Sequence, residues 1–231
     1  MKHKWIYLLL LSFFISCRPP EFEGNIRLLV KGNLVDENND PIPDTKISIY
    51  TRKPDGLFSG DGNTFLLGTG YSKQNGAFSI IALYDQDDDF AIEVDGQNKF
   101  STYIYATNTK SFFPEDLTFN LKTLELRTVS KVNYNITKTS PSATEFRFSF
   151  KFNNTNCYEF FDKGTQDANK TDCFEKISIN RFLNDATPNT DNSFSTLLGT
   201  TVEFKYVIDD EPEVIETFII DRENYDFNFS Y

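Results

Sequence analysis

From Glu145 to Phe152 the chain alternates without a break. Phe146, Phe148, Phe150 and Phe152 fall on one side, and Glu145, Arg147, Ser149 and Lys151 on the other. Successive side chains of a strand point to opposite faces of a sheet, so one apolar side at period two demands a half-buried strand. A helix, with its period of 3.6, would scatter the four rings around its circumference. The pattern recurs in Val202, Phe204, Tyr206 and Ile208. There Asp209-Asp210-Glu211-Pro212 turns the chain into Val214 to Ile220, and Tyr225, Phe227, Phe229 and Tyr231 make a last stripe. Upstream, Ile26 to Val35 reads as a strand. So does Thr45 to Tyr50, with Ile47 and Ile49 on one face. Leu66 to Tyr71 and Ala77 to Ile81 flank Lys73-Gln74-Asn75-Gly76, whose Asn-Gly pair favours the positive φ of a tight hairpin. Phe90, Ile92 and Val94 alternate with Ala91 and Glu93, and Thr102, Ile104 and Ala106 with Tyr103 and Tyr105. Leu117, Phe119 and Leu121 follow. Helical periodicity is scarce, and 24 phenylalanines suit strands. The expectation is an all-β chain: a sandwich of about seven strands over residues 26–124, then a second β-sandwich-like domain over 125–231. In the second block, Asn153 to Leu197 reads as Asn-, Thr- and Asp-rich loop with one strand, Ile177 to Phe182.

The first residues carry an address. Lys2 and Lys4 give a positive start, Trp5 to Ile15 is apolar except for Ser12, and Ser16 precedes Cys17. A short apolar run behind positive charge and before a small residue reads as a signal peptide over residues 1–16. It is shorter than the roughly 20 residues a membrane-spanning helix needs. The ending Phe14-Ile15-Ser16-Cys17 resembles the bacterial lipoprotein box, with Phe14 where Leu is usual. That resemblance implies cleavage before Cys17 and lipid on its thiol and new amino group. Several acyl chains hold a protein almost permanently, since each buried methylene contributes about 0.8 kcal/mol. Residues 17–25 form a polar, Pro-containing tether. Its Glu21 and Glu23 resemble the surface-export signals of Bacteroidota-type lipoproteins.

A second resemblance lies in the first block. Gly32-Asn33-Leu34-Val35-Asp36-Glu37-Asn38-Asn39-Asp40-Pro41-Ile42-Pro43-Asp44-Thr45-Lys46-Ile47-Ser48-Ile49 resembles the opening of the carboxypeptidase regulatory-like domain. Ser72-Lys73-Gln74-Asn75-Gly76-Ala77-Phe78-Ser79-Ile80 resembles its later turn and Phe-containing strand. The family implies a transthyretin-like seven-stranded sandwich that serves as an accessory module, with no catalytic residue to carry over. Asn39 and Asp44 stand where the family has glycine, and both types tolerate left-handed backbone. Arg52 to Thr64 reads as a longer loop than the family's. The second block shows no family resemblance, and the two blocks share no repeat.

Composition narrows the chemistry. Lys2 and Lys4 leave with the signal, so 21 of the 23 Lys and Arg face 34 Asp and Glu, a net charge of −13. That excludes nucleic acid and electrostatic adhesion to anionic lipid as partners. The single His and Trp, His3 and Trp5, lie in the signal, so the mature chain has no imidazole for a Ser-His-Asp triad. Cys157 and Cys173, outside the cytoplasm, favour a disulfide. Free thiols or a metal site compete with that reading, although two thiolates without His make a poor zinc site. Asp85, Asp87, Asp88 and Asp89 are calcium candidates by composition, without the glycine and terminal Glu of an EF-hand loop. A solvated strand connection explains them as well. Asp36, Glu37 and Asp40 suit turn chemistry. Tyr50, Tyr71, Tyr103 and Tyr105, placed on polar faces, are candidates for a sugar or protein contact patch, against partial burial. The resulting expectation is a non-catalytic envelope lipoprotein on the outer membrane, facing the periplasm or the cell surface. The membrane is reached through Cys17, the partner is an envelope protein or glycan, and no cofactor is called for. A carboxylate-pair hydrolase of glycans and a structural spacer are the competing readings.

Overall fold

The computed structural model describes residues 26–53, 63–86, 89–141 and 143–231. The signal, Cys17 and the tether lie outside the described residues, as do Asp87 and Asp88. All regular elements among the described residues are strands. No helix there is long and apolar enough to cross a membrane.

The first block builds β1 (Arg27–Val35), β2 (Lys46–Lys53), β3 (Asn63–Tyr71), β4 (Ala77–Leu83), β5 (Asp89–Asp95), β6 (Thr102–Asn108) and β7 (Thr118–Glu125). A small sheet, β4-β1-β7, covers a larger one that contains β6-β5-β2-β3 in that order. Alternate residues of each strand meet between the sheets: Leu28 and Val30, Ile47 and Ile49, and Phe90, Ile92 and Val94 are all buried. Strands β2 and β3 pair out to Arg52 opposite Thr64 and Lys53 opposite Asn63, so both ends of the segment expected as loop are strand, and residues 54–62 lie outside the described residues.

The Asn75-Gly76 turn differs from expectation. Gly76 has the positive φ, at 77°. Yet β3 pairs with β2 and β4 with β1, so the turn carries the chain between sheets instead of closing a hairpin. A Cβ at Gly76 would stand 2.3 Å from the Leu34 carbonyl oxygen, a close approach that only glycine permits. Asn39 and Asp44 are left-handed, at φ 65° and 55°. Asp36 does turn work, its Oδ1 accepting from the backbone N–H groups of Asn38 (2.8 Å) and Asp40 (2.9 Å). Glu37 instead reaches forward, its carboxylate accepting from the Thr128 N–H at 2.6 Å and hydroxyl at 3.0 Å.

Past that junction come β8 (Val129–Thr137) and β9 (Glu145–Asn153), then three strands of an arm, β10 (Asn156–Asp162), β11 (Thr165–Gln166) and β12 (Asp172–Cys173). After them run β13 (Lys176–Asn184), β14 (Thr190–Leu197), β15 (Thr201–Ile208), β16 (Val214–Ile219) and β17 (Asn224–Ser230). Sheets β13-β9-β15-β16 and β14-β8-β17 form the second sandwich. Its core is the Phe146–Phe152 stripe, with Tyr134, Val202 and Phe204.

The chain passes from the first sandwich to the second between β7 and β8, but the arm makes the second block discontinuous. Strands β9 and β13 are an antiparallel pair that begins at Asn153 opposite Lys176, and the Asn154 N–H still donates to the Glu175 carbonyl at 2.7 Å. The residues between them leave this hairpin and join the first sandwich. There β10 runs parallel to β6, from Asn156 opposite Thr102 to Phe161 opposite Thr107. The larger sheet thus becomes seven-stranded. The reason is burial. Cys157, Glu159 and Phe161 of β10 turn inward, where Phe161 stacks on Tyr105 at 4.4 Å and Glu159 accepts from the Tyr103 hydroxyl at 2.6 Å.

Candidate functional site

The outer face of the seven-stranded sheet carries a trough, and the register builds it row by row. Tyr50 lies opposite Ala91, Ala91 opposite Ala106, and Ala106 opposite Phe160. The next row runs Ser48, Glu93, Ile104 and Tyr158. At the other end Arg52 faces Asp89, which faces Asn108. Two alanines at the centre make a low floor, and rings on β2 and β10 make walls. Three strand spacings of about 4.8 Å put the wall backbones about 14 Å apart. The open recess between them has a volume of about 430 Å³.

The polar groups are held locally. Asp89 Oδ1 accepts from the Asn108 side-chain amide at 2.9 Å. Its backbone carbonyl accepts from the Thr51 hydroxyl at 3.1 Å. Burial, and then the neighbouring Asp89 charge, raise the Tyr158 phenol above its ordinary range, so it is a neutral donor. Lys170 caps the Phe160 ring at 4.5 Å.

Of the four tyrosines expected on polar faces, Tyr50 is in the trough. Tyr71 is 59% exposed, at the far end of β3 opposite Lys46 and away from the trough. Tyr103 and Tyr105 are buried, at 8% and 7%, a correction of the expected facing. They sit opposite Val94 and Ile92, whose side chains point into the core. Burial pushes the Tyr105 phenol up to about 12. Tyr103 is raised further, by burial first and then by its bond to Glu159. Tyr158 and Phe160 do not stand out in the sequence, because their segment reads as loop. Their i, i+2 spacing is the available signal.

Cys157 and Cys173 face each other on β10 and β12 and are joined in a disulfide. Glu159 lies beside them, but the bond occupies both sulfurs, so the group offers no thiolate pair to a metal. Of the calcium candidates, Asp85 is 3% exposed while Asp89 is exposed at the start of β5. Among the described residues they do not converge with a third acid. A second depression, about 490 Å³, lies on the outer face of the second sandwich beside Arg147, Arg181, Phe182 and Lys205. Two of its cations are in ion pairs, Arg147 with Glu145 at 2.8 Å and Lys205 with Glu213 at 3.1 Å, and Arg181 donates to the Asn180 carbonyl at 3.0 Å. The trough differs in setting aromatic rings on two opposite strands across a low floor.

No protein family and no curated protein sequence matches the chain. Solved structures overlap it loosely. The Bacillus anthracis TIE protein is 12% identical with a TM-score of 0.32, over 90% of this chain and 34% of that one. The chain thus spans about a third of that protein's length. A streptococcal ancillary pilin is 11% identical with a TM-score of 0.31, over 90% of this chain and 63% of that one. Shaft pilin SpaA from Lactobacillus rhamnosus GG is 10% identical with a TM-score of 0.29, over 88% and 97%. Scores this low leave function to be read from the geometry.

Proposed function

We propose that the chain is a lipid-anchored envelope protein that binds a partner without transforming it. The observation that carries the binding reading is the trough: a recessed face with rings on both walls and charged groups at its ends. A spacer has no use for such a recess. The anchor is read from the sequence Lys2 to Cys17, with the outer membrane as its proposed site. The left-handed Asn39 and Asp44 support the carboxypeptidase regulatory-like reading of the first sandwich. Hydrolysis by a carboxylate pair fits less well. Asp89 and Glu93 lie four residues apart on β5, about 13 Å along the strand. Acid-pair glycosidases hold their carboxyls about 5 to 9.5 Å apart.

The test joins anchor and trough. Native protein is extracted from membranes, its N-terminal peptide is weighed, and its partners are captured beside a Tyr50→Ala/Tyr158→Ala variant. The expected result is an acylated Cys17 at the N-terminus and a captured component that the variant loses. A bare Cys17 still joined to Ser16 removes the anchor. Capture indifferent to the two rings removes the binding face.

A further inference from the structure

We infer that the trough is a subsite for an uncharged polysaccharide, an inference that rests on the binding reading above. A pyranose ring offers two chemistries at once. Its axial C–H face is apolar and packs against aromatic rings, while its rim of hydroxyls donates and accepts hydrogen bonds. A ligand of this kind needs flat rings and fixed polar groups within one narrow recess. Tyr50 and Tyr158 stand on opposite walls, across a floor of Ala91, Ala106 and Ile104. Both phenols can pack by the ring and bond by the hydroxyl. Lys170 already covers one face of Phe160, so the two tyrosines are the stacking surfaces.

Asp89 and Glu93 rise from the same face of β5 and accept hydroxyl protons at two points along the trough. Arg52 brings guanidinium donors to the Asp89 end. The charge argues for a neutral chain. Asp89 and Glu93 face one lining guanidinium, the Lys170 ammonium over Phe160 being paired with Asp167 at 3.9 Å, and on a mature chain of net charge −13 they repel a uronate or sulfated polymer. A peptide partner is the weaker fit. The floor is mostly alanine, and interface anchors need deep apolar pockets. Extended peptides add to an open strand edge, whereas β2, β5 and β6 under the trough are paired on both sides.

The experiment uses the detergent-solubilised lipidated chain in native gels cast with amylopectin, laminarin, yeast mannan or galactomannan, with alginate as the anionic polymer. At least one neutral polymer is expected to retard the protein. Tyr50→Ala/Tyr158→Ala should weaken that binding about tenfold or more. Glu93→Gln keeps the shape of the side chain and should weaken it about threefold to tenfold. Phe182→Ala, on the second sandwich, should change nothing. Both tyrosines are partly exposed, and an unchanged circular dichroism melt certifies the variant's fold. Retardation by alginate alone, by no polymer, or equally in the double variant overturns the inference. If no neutral polymer binds but the envelope capture still depends on Tyr50 and Tyr158, the glycan falls and the binding reading stands. If neither assay depends on them, both fall.

Discussion

The core of the second sandwich is a stack of rings, and that of the first is largely aliphatic. Phe146 lies 4.2 Å from Tyr231, Phe150 4.9 Å from Phe204 and Phe152 4.1 Å from Phe194, measured between ring centroids. The first sandwich packs Leu34, Ile47, Ile49, Ile92 and Val94, with Phe90 on Phe119 at 4.8 Å as one of its ring contacts. The two also differ in how they close. The second is completed by its own stripes, β9, β15 and β17. The first leaves Tyr103 and Tyr105 at the edge of its sheet until β10 arrives from the hairpin of the other. One sandwich is self-sufficient, and the other depends on its neighbour. The candidate ligand face lies at that dependence, because Tyr158 and Phe160 belong to the supplied strand.

The sharpest way to break this contrast is to damage each core in turn. Phe150→Ala should cost about 3–5 kcal/mol. Because the arm is rooted in β9 and β13, the loss should appear in both sandwiches when urea unfolding is followed by hydrogen exchange. Ile49→Ala should cost about 2–5 kcal/mol. It should leave protection in β9 and β15 intact. Equal spread from both variants would erase the asymmetry.

A smaller effect sharpens the role of the arm. The Cys157–Cys173 bond closes a loop with a sequence separation of 16 residues. In the chain-entropy model such a loop contributes about 3 kcal/mol. Cys157→Ser/Cys173→Ser should lower stability by about that amount, with exchange rising first in β10 and β6. Reductant should reproduce the effect in the native chain.

The smallest predicted effects concern the tyrosines under the arm. Tyr103→Phe removes its bond to Glu159 and should cost about 1–2 kcal/mol. The native phenols also set an alkaline limit. Tyr103 and Tyr105 are raised above the usual value of 10.0 in the folded state, Tyr105 to about 12. Above pH 10 the unfolded chain therefore holds fewer protons than the folded one. The stability they give is complete below pH 10 and falls as pH rises towards 12. Tyr105→Phe should flatten that fall in a pH series of urea midpoints.

The sequence displays what is local. The stripe of Phe146, Phe148, Phe150 and Phe152 needs no partner to be read, nor does the left-handed backbone of Asn39 and Asp44. What it hides is set by distant pairing. Strand β6 has apolar residues on both faces, Ile104 and Ala106 on one and Tyr103 and Tyr105 on the other. Its orientation is decided by its register with β5 and by β10, more than fifty residues away in the chain. The arm reads as a polar loop because Asn, Thr and Asp surround its few inward residues. The trough was half legible. Tyr50 stood out, but its opposing wall belongs to a strand that local patterning does not assign.

The dependence of one sandwich on the other is tested most directly by excising the arm. Residues 155–174 are removed, and Asn154 is joined to Glu175 through an Asn-Gly turn, which suits the existing β9–β13 hairpin. Hydrogen exchange then maps the shortened chain. Protection should survive across β9, β13 and β15 and collapse across β5 and β6. Undiminished protection of β5 and β6 would contradict the account, as would loss of the second sandwich along with the first.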